Sequence, residues 1–123
     1  MRVLRALRLL PELGRVLRVL PEVEIGRRRE GPEPLAARLR RRARRARGEK
    51  GREELRRVIR WVDARMPGGP NCYRRVLLET VLDAGAARER IVLGLRKGGG
   101  KASGHAWLEG QDEGEGYEAR FRV

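Results

Sequence analysis

The chain has 123 residues, 40% of them hydrophobic, which suits a single folded domain with a modest core. Its 30 Lys and Arg against 17 Asp and Glu give a net charge of +13, which predicts attraction to polyanions or acidic partners but indicates no fold. A single cysteine excludes an internal disulfide and favours a reducing, cytoplasmic location. No apolar run approaches the ~20 residues that cross a bilayer, so we expect no transmembrane segment.

The first part of the chain is basic and helical in pattern. Within residues 1–25 apolar side chains recur every three or four positions, which predicts amphipathic helix, and Pro11 and Pro21 are expected to start or end its pieces. Arginines interrupt this segment, which lacks the continuous apolar core and cleavage site of a signal peptide. Residues 26–51 include "PLAARLRRRARRARG", expected to be a helix or mobile arm on the surface. We assign residues 1–51 to a basic helical N-terminal region.

A second unit is predicted for residues 52–123. "REELRRVIRWVDARM" has apolar residues at helical spacing, and "PGGP" ends that helix. "CYRRVLLETVLDAG" is typical of a largely buried helix closed by Gly85. "RIVLGL", "HAWLEG" and "YEARFRV" have the apolar runs or the alternation of strands, joined by the loop "KGGGKASG" and the turn "QDEGEG". This order predicts an α+β fold, with a helical N-terminal half and a small antiparallel sheet packed on the cysteine-bearing helix.

The only cysteine and the only histidine both lie where an element begins. Cys72 follows "PGGPN", so we expect it in the first turn of its helix, with Asn71 as the N-cap. A helix N-terminus and a nearby imidazole both favour the reactive thiolate. His105 opens a strand after a glycine-rich loop, where its ring can reach a helix end. On the residues alone, a catalytic pair competes with a plainer interpretation, a small buried cysteine and a structural histidine.

The series "NCYRRVLLETVLDAG", "RIVLGLRKGG", "GHAWLEG" and "GYEARF" resembles the transglutaminase-like cysteine peptidase superfamily. In that family the nucleophilic cysteine begins the central helix, the histidine begins a strand in an H-A-W-like motif, and an acidic residue lies on the following strand. More narrowly, "VLGL", "HAWLE" and the basic Leu/Arg-rich N-terminal part resemble the lasso-peptide biosynthesis B2 proteins, which are leader peptidases. The likeness covers residues 52–118 well and the first 50 residues only in composition.

The resemblance implies a cysteine peptidase with a Cys–His–acid triad and a papain/transglutaminase-like core. The Cys72 thiolate would attack a peptide carbonyl, and His105 would take the thiol proton and later protonate the leaving amine. The backbone N–H of Cys72, at the helix start, would help to hold the oxyanion. The substrate implied is the leader region of a ribosomally made, lasso-type precursor peptide.

The acid that orients His105 is expected to be Glu118, early in the last strand, with Asp112 in the preceding turn as the alternative. Alternation poses a difficulty for Glu118. If Tyr117 and Phe121 point inwards beside His105, Glu118 points away unless a bulge after the turn re-aims it. An inactive, degenerate triad therefore stays open.

Trp107 shares the His105 side of its strand, so we expect it to shield the imidazole and to contact substrate there, although a core tryptophan fits the same pattern. No bound cofactor is expected, and any ATP requirement would belong to partner enzymes. The resemblance implies the precursor peptide as partner, together with a leader-recognition protein and a macrocyclase. One cysteine and one histidine are too few for a structural zinc site, so no metal is expected.

Two other functions stay open besides the peptidase. The first is a non-catalytic scaffold of the same fold that binds a peptide. The second is nucleic-acid binding through "RLRRRARRAR", but this arm lacks the aromatic residues that stack on bases. Its arginines fit a solvated face or a docking surface for an acidic peptide as well. "KGGGKASG" lacks the order of a phosphate-binding loop and precedes a strand, so that function is rejected.

Overall fold

A computed structural model of the chain describes residues 2–96, 104–111 and 116–123, with side chains from residue 6 onwards. The predicted α+β fold is confirmed, with four helices and a three-stranded antiparallel sheet. The helices are α1 (Arg2–Arg29), α2 (Pro32–Arg42), α3 (Glu49–Asp63) and α4 (Cys72–Leu82), and the strands are β1 (Ile91–Arg96), β2 (Gly104–Leu108) and β3 (Tyr117–Arg122). Among the described residues, no helix has the length and apolar character needed to cross a bilayer.

Helix α4 is the centre of the fold because it is apolar on most of its surface. The other three helices and strand β2 all pack against it. The buried side chains form one cluster, which includes Val16, Val23, Leu35, Leu39, Leu55, Ile59, Leu77, Leu78, Ile91 and Leu108. The predicted boundary after residue 51 thus lies inside α3, and side chains from both sides of it share this core.

Helix α1 continues through Pro11 and Pro21, so the prediction that they divide it into pieces is wrong. A proline inside a helix removes a backbone hydrogen bond and costs ~3 kcal/mol or more. Both rings are exposed, whereas Val16 and Val23, on the opposite side of the helix, are fully buried. Burial of the apolar stripe offsets the local cost, which composition alone does not reveal.

Helix α2 shows that the arginine-rich segment is not a free arm. The segment is helical, as one alternative predicted, but it also contributes to the core, with Leu35, Ala36 and Leu39 buried. Its arginines bind other parts of the chain. Arg38 pairs with Glu22 of α1 at 2.6 Å, and Arg47 donates to the carbonyl oxygen of Leu82 at 2.9 Å. These arginines therefore join elements that are distant in sequence.

The sheet has the order β2-β1-β3, so β1 is central and β2 is an edge strand. The regular alternation predicted for β3 is wrong, because a bulge interrupts the ladder between Leu93 and Gly94. Leu93 pairs with Phe121 and Gly94 pairs with Ala119, which leaves Arg120 as the extra residue. The bulge places Phe121 on the opposite face of the sheet from Tyr117, and its side chain is 45% exposed.

A buried ionic network joins α1, α3 and α4. Asp63, the last residue of α3, is fully buried and accepts a hydrogen bond from Arg74 at 2.7 Å. The guanidinium of Arg74 also donates to Glu24 of α1 at 2.6 Å, and its residue is only 1% exposed. Asp63 further accepts from Arg75 at 2.8 Å and from the backbone N–H of Asn71 at 3.1 Å. The network therefore fixes the segment from which α4 begins.

Substituting Asn for Asp63 should lower the free energy of unfolding by about 3 kcal/mol, because the buried guanidinium of Arg74 loses a charged acceptor. Urea denaturation followed by circular dichroism measures the loss. Glu109→Gln is the control, since Glu109 pairs with Arg122 at 3.1 Å but its side chain is 49% exposed. That variant should change stability by less than about 0.5 kcal/mol. Equal losses in the two variants would show that the buried network contributes no more to the free energy of unfolding than an exposed ion pair does.

Acid should weaken the same network through Glu24. The hydrogen bond from Arg27 and the contacts with Arg74 outweigh burial and lower the pKa of Glu24 from 4.5 to about 2. Since the folded pKa is below the unfolded value, this contribution is complete above about pH 4.5 and is lost as the pH falls towards 2. Glu24→Gln should therefore be less stable than the parent near neutral pH, with a difference that shrinks in acid. Urea midpoints near pH 7 and pH 3 provide the comparison, and a constant difference would contradict it.

Candidate active site

Cys72 is the first residue of α4, as the sequence predicts. Asn71 is the N-cap, and its side chain accepts a hydrogen bond from the backbone N–H three residues on at 2.9 Å. Gly68 and Gly69, with φ of +88° and +85°, form the turn before it in a conformation that other residues rarely adopt. The turn and the N-cap together fix the direction in which the half-buried Cys72 side chain leaves the helix.

The thiol of Cys72 lies against the edge strand of the sheet. Its Sγ accepts a hydrogen bond from the backbone N–H of Ala106 at 3.3 Å. Among the described strands, β2 pairs only with β1, so the N–H lies on the free edge of the sheet. The contact places the sulfur next to the residue that follows His105. An N–H directed at the sulfur is suited to hold negative charge there.

Two aromatic rings hold the imidazole of His105. The ring of Tyr117 stacks on the imidazole with the two ring centroids 4.6 Å apart. The ring centroid of Trp107 lies 5.5 Å from that of the imidazole. Trp107 is 7% exposed, so it belongs to the buried part of the sheet, with its ring beside the histidine. Gly94 lies opposite His105 on β1, and a Cβ there would be 2.7 Å from the Trp107 ring. Only glycine leaves room for this stack.

The structure does not bring the carboxylate of Glu118 to the imidazole. The Glu118 side chain is 56% exposed and pairs with Arg120 at 3.4 Å. Its neighbour Tyr117 covers His105, so the alternation of the strand directs Glu118 to the other face. The bulge lies beyond Glu118 and does not re-aim it. The alternative acid, Asp112, lies outside the described residues, as do most of the loop "KGGGKASG" and of the turn "QDEGEG".

Two cavities share Cys72, His105 and Ala106 in their walls. One, of about 360 Å³, extends between α3 and α4 and is called the basic cavity; its other polar lining residues are Arg56, Arg60, Arg75, Glu79 and Gln111. The second, of about 590 Å³, extends over β1 and β3 and is called the apolar cavity; its other lining residues include Pro70, Tyr73, Leu93, Leu95 and Phe121. The thiol is therefore open to a ligand from two directions.

Sequence reasoning missed several residues around the thiol. Glu79 lies two helical turns after Cys72, and this spacing of seven residues was the signal that both share one face of α4. Burial raises the pKa of Glu79, although Arg56 at 3.0 Å opposes the shift. Asp63 gave no signal, because nothing in "WVDARM" distinguishes it from a surface carboxylate. The stacking of Tyr117 depends on a strand pairing that the sequence does not specify.

Comparison with known proteins agrees with this arrangement. Residues 13–122 match the family described as the Transglutaminase-like superfamily, from within α1 to the end of β3. No curated protein and no solved structure matches the chain significantly. The match includes the thiol at the start of the central helix and the histidine on the neighbouring strand. Because it spans nearly all of the chain, the protein belongs to the transglutaminase-like superfamily.

Proposed function

We propose that the protein is a cysteine peptidase in which Cys72 is the nucleophile and His105 is the general base. The observation that carries this proposal is the contact between Ala106 N–H and Cys72 Sγ, at 3.3 Å. It places a thiol from a helix start beside the histidine-bearing strand, where two cavities meet. Membership of the transglutaminase-like superfamily supports chemistry of the cysteine-peptidase type.

The proposed reaction has two halves. His105 takes the proton of the Cys72 thiol, and the sulfur attacks the carbonyl carbon of a peptide bond to form a C–S bond. The backbone N–H of Cys72, in the first turn of α4, has no partner within the helix and would bind the oxyanion. The C–N bond then breaks as His105 protonates the leaving amine. Water, losing a proton to His105, hydrolyses the thioester and restores the thiol.

For the substrate we propose the leader region of a ribosomally made precursor of the lasso type. The motifs "VLGL" and "HAWLE" support this choice, as does a thiol that an extended peptide could reach through two open cavities. Under this proposal a leader-recognition protein and a macrocyclase act with the peptidase in the cytoplasm. The chemistry needs no bound cofactor, because thiol, imidazole and water supply every bond and proton.

Under this proposal the rings of Tyr117 and Trp107 orient the imidazole of His105. Glu118 remains the candidate for the carboxylate of the triad. Stacking on Tyr117 and Trp107 fixes the plane of the ring, which a third triad member otherwise does. Glu118 would have to leave Arg120 and turn round the strand to reach the imidazole. Asp112 remains the alternative candidate for this carboxylate.

Alkylation of Cys72 tests the proposed pair. Iodoacetamide should modify Cys72 about tenfold or more faster than free cysteine near neutral pH, because the helix start and the imidazole favour the thiolate. His105→Ala should remove most of that advantage, and Glu109→Ala, at an exposed site just after β2, should not. The same variants are then incubated with a lasso-type precursor peptide, and mass spectrometry detects the released leader; Cys72→Ala should release none. A slow alkylation indifferent to His105 would favour the non-catalytic scaffold.

Tyr117 and Glu118 can be separated by a matched pair of substitutions. Tyr117→Leu removes the stacked ring and should lower kcat about tenfold with little change in KM, because the imidazole is then free to rotate. Glu118→Gln keeps the side-chain size and should lower kcat by less than about twofold. Asp112→Asn is measured beside them, and circular dichroism confirms folding. A large loss in Glu118→Gln alone would restore Glu118 as the orienting acid.

A further inference from the structure

The basic cavity has a composition that the proposed reaction itself does not require. Helix α3 contributes Arg56 and Arg60, one helical turn apart, and α4 contributes Arg75. Arg75 is three residues after Cys72, so it lies on the face of α4 from which the thiol also emerges. Three guanidinium groups thus share one cavity with the nucleophile, and Glu79 is the carboxylate among its lining residues.

Ion pairing inside the chain leaves part of this positive charge unbalanced. Glu79 is engaged by Arg56 at 3.0 Å. Arg75 binds Asp63 at 2.8 Å, but Asp63 is shared with the buried Arg74. Arg60 is exposed and forms no ion pair within the described part of the chain. One incoming carboxylate would give the guanidinium of Arg60 the charged acceptor that it lacks among the described residues.

The apolar cavity on the other side of the thiol shows that this charge is local. Its walls include Leu93, Leu95, Phe121 and Tyr73, and the arginine in its lining, Arg120, pairs with Glu118 at 3.4 Å. A peptide lying across Cys72 would therefore place chemically different side chains in the two cavities. The contrast argues against a general attraction that arises only from the net charge of +13.

We infer that the basic cavity is a specificity pocket for an acidic side chain, Asp or Glu, of the peptide substrate next to the bond that Cys72 attacks. This inference rests on the proposed function and deepens it. Arg60 is the main specificity residue, because it is the one of the three cavity arginines whose guanidinium no carboxylate of the described residues engages. Arg56 and Arg75 contribute to the field of the pocket while they remain paired with Glu79 and Asp63.

The experiment compares two reagents on the same sulfur. Acetyl-Asp chloromethyl ketone and acetyl-Asn chloromethyl ketone differ in a single carboxylate, and each alkylates Cys72 at a rate that mass spectrometry measures. The ratio of the two rate constants should favour the Asp reagent by about threefold or more, and Arg60→Gln should reduce the ratio about two- to fivefold. Added salt should reduce it as well. Arg60→Lys should retain most of the preference, since it keeps the charge.

Arg57→Gln is the matched control, because Arg57 is an exposed neighbour on the same helix that lies outside the basic cavity. It removes the same charge and should leave the ratio unchanged. Equal losses in Arg57→Gln and Arg60→Gln would show attraction by net charge only and overturn the pocket. An Asp reagent no faster than the Asn reagent would overturn it too. A thiol of ordinary reactivity would slow both reagents and leave the ratio intact, so failure of the peptidase proposal is distinguishable.

Discussion

The fold depends on a buried charge cluster, in which the guanidinium of Arg74 lies between Asp63 and Glu24. Burying such charges is costly, and a hydrophobic replacement often stabilises a protein as well or better. Here the cluster also binds the backbone N–H of Asn71, the N-cap of the cysteine helix. The cluster matters because it positions the start of α4, and not only because it stabilises the fold. It attaches the start of α4, and with it Cys72, to two other helices.

The site itself forms where two elements have unused backbone groups. The N-terminus of α4 has N–H groups without helical partners, and β2 has a free edge. Cys72 lies at their junction and takes up one of the edge groups, the N–H of Ala106. The central position of β1 leaves β2 open on the side that faces the helix. A closed sheet would have covered the edge that now contacts the sulfur.

The high arginine content has a structural explanation before a functional one. Arg38 and Arg47 connect the second quarter of the chain to α1 and to the end of α4, and Arg52 reaches Asp83 at 2.8 Å. Guanidinium groups suit this task because they offer several donors in a fixed plane. The arginines beside Cys72 are different, since they exceed the carboxylates available to them. This local excess, rather than the total charge, carries information about a ligand.

The sequence by itself determined the class of fold, the helix that starts at Cys72 and the strand that starts near His105. These features follow from local chemistry: "PGGPN" stops one helix and caps the next, and alternation defines short strands. Only the tertiary structure decided that α1 continues through two prolines, that a bulge turns Phe121 to the other face, and that Tyr117 rather than Glu118 meets the imidazole. Each outcome depends on burial or strand pairing between distant residues, and these energies are absent from any local segment.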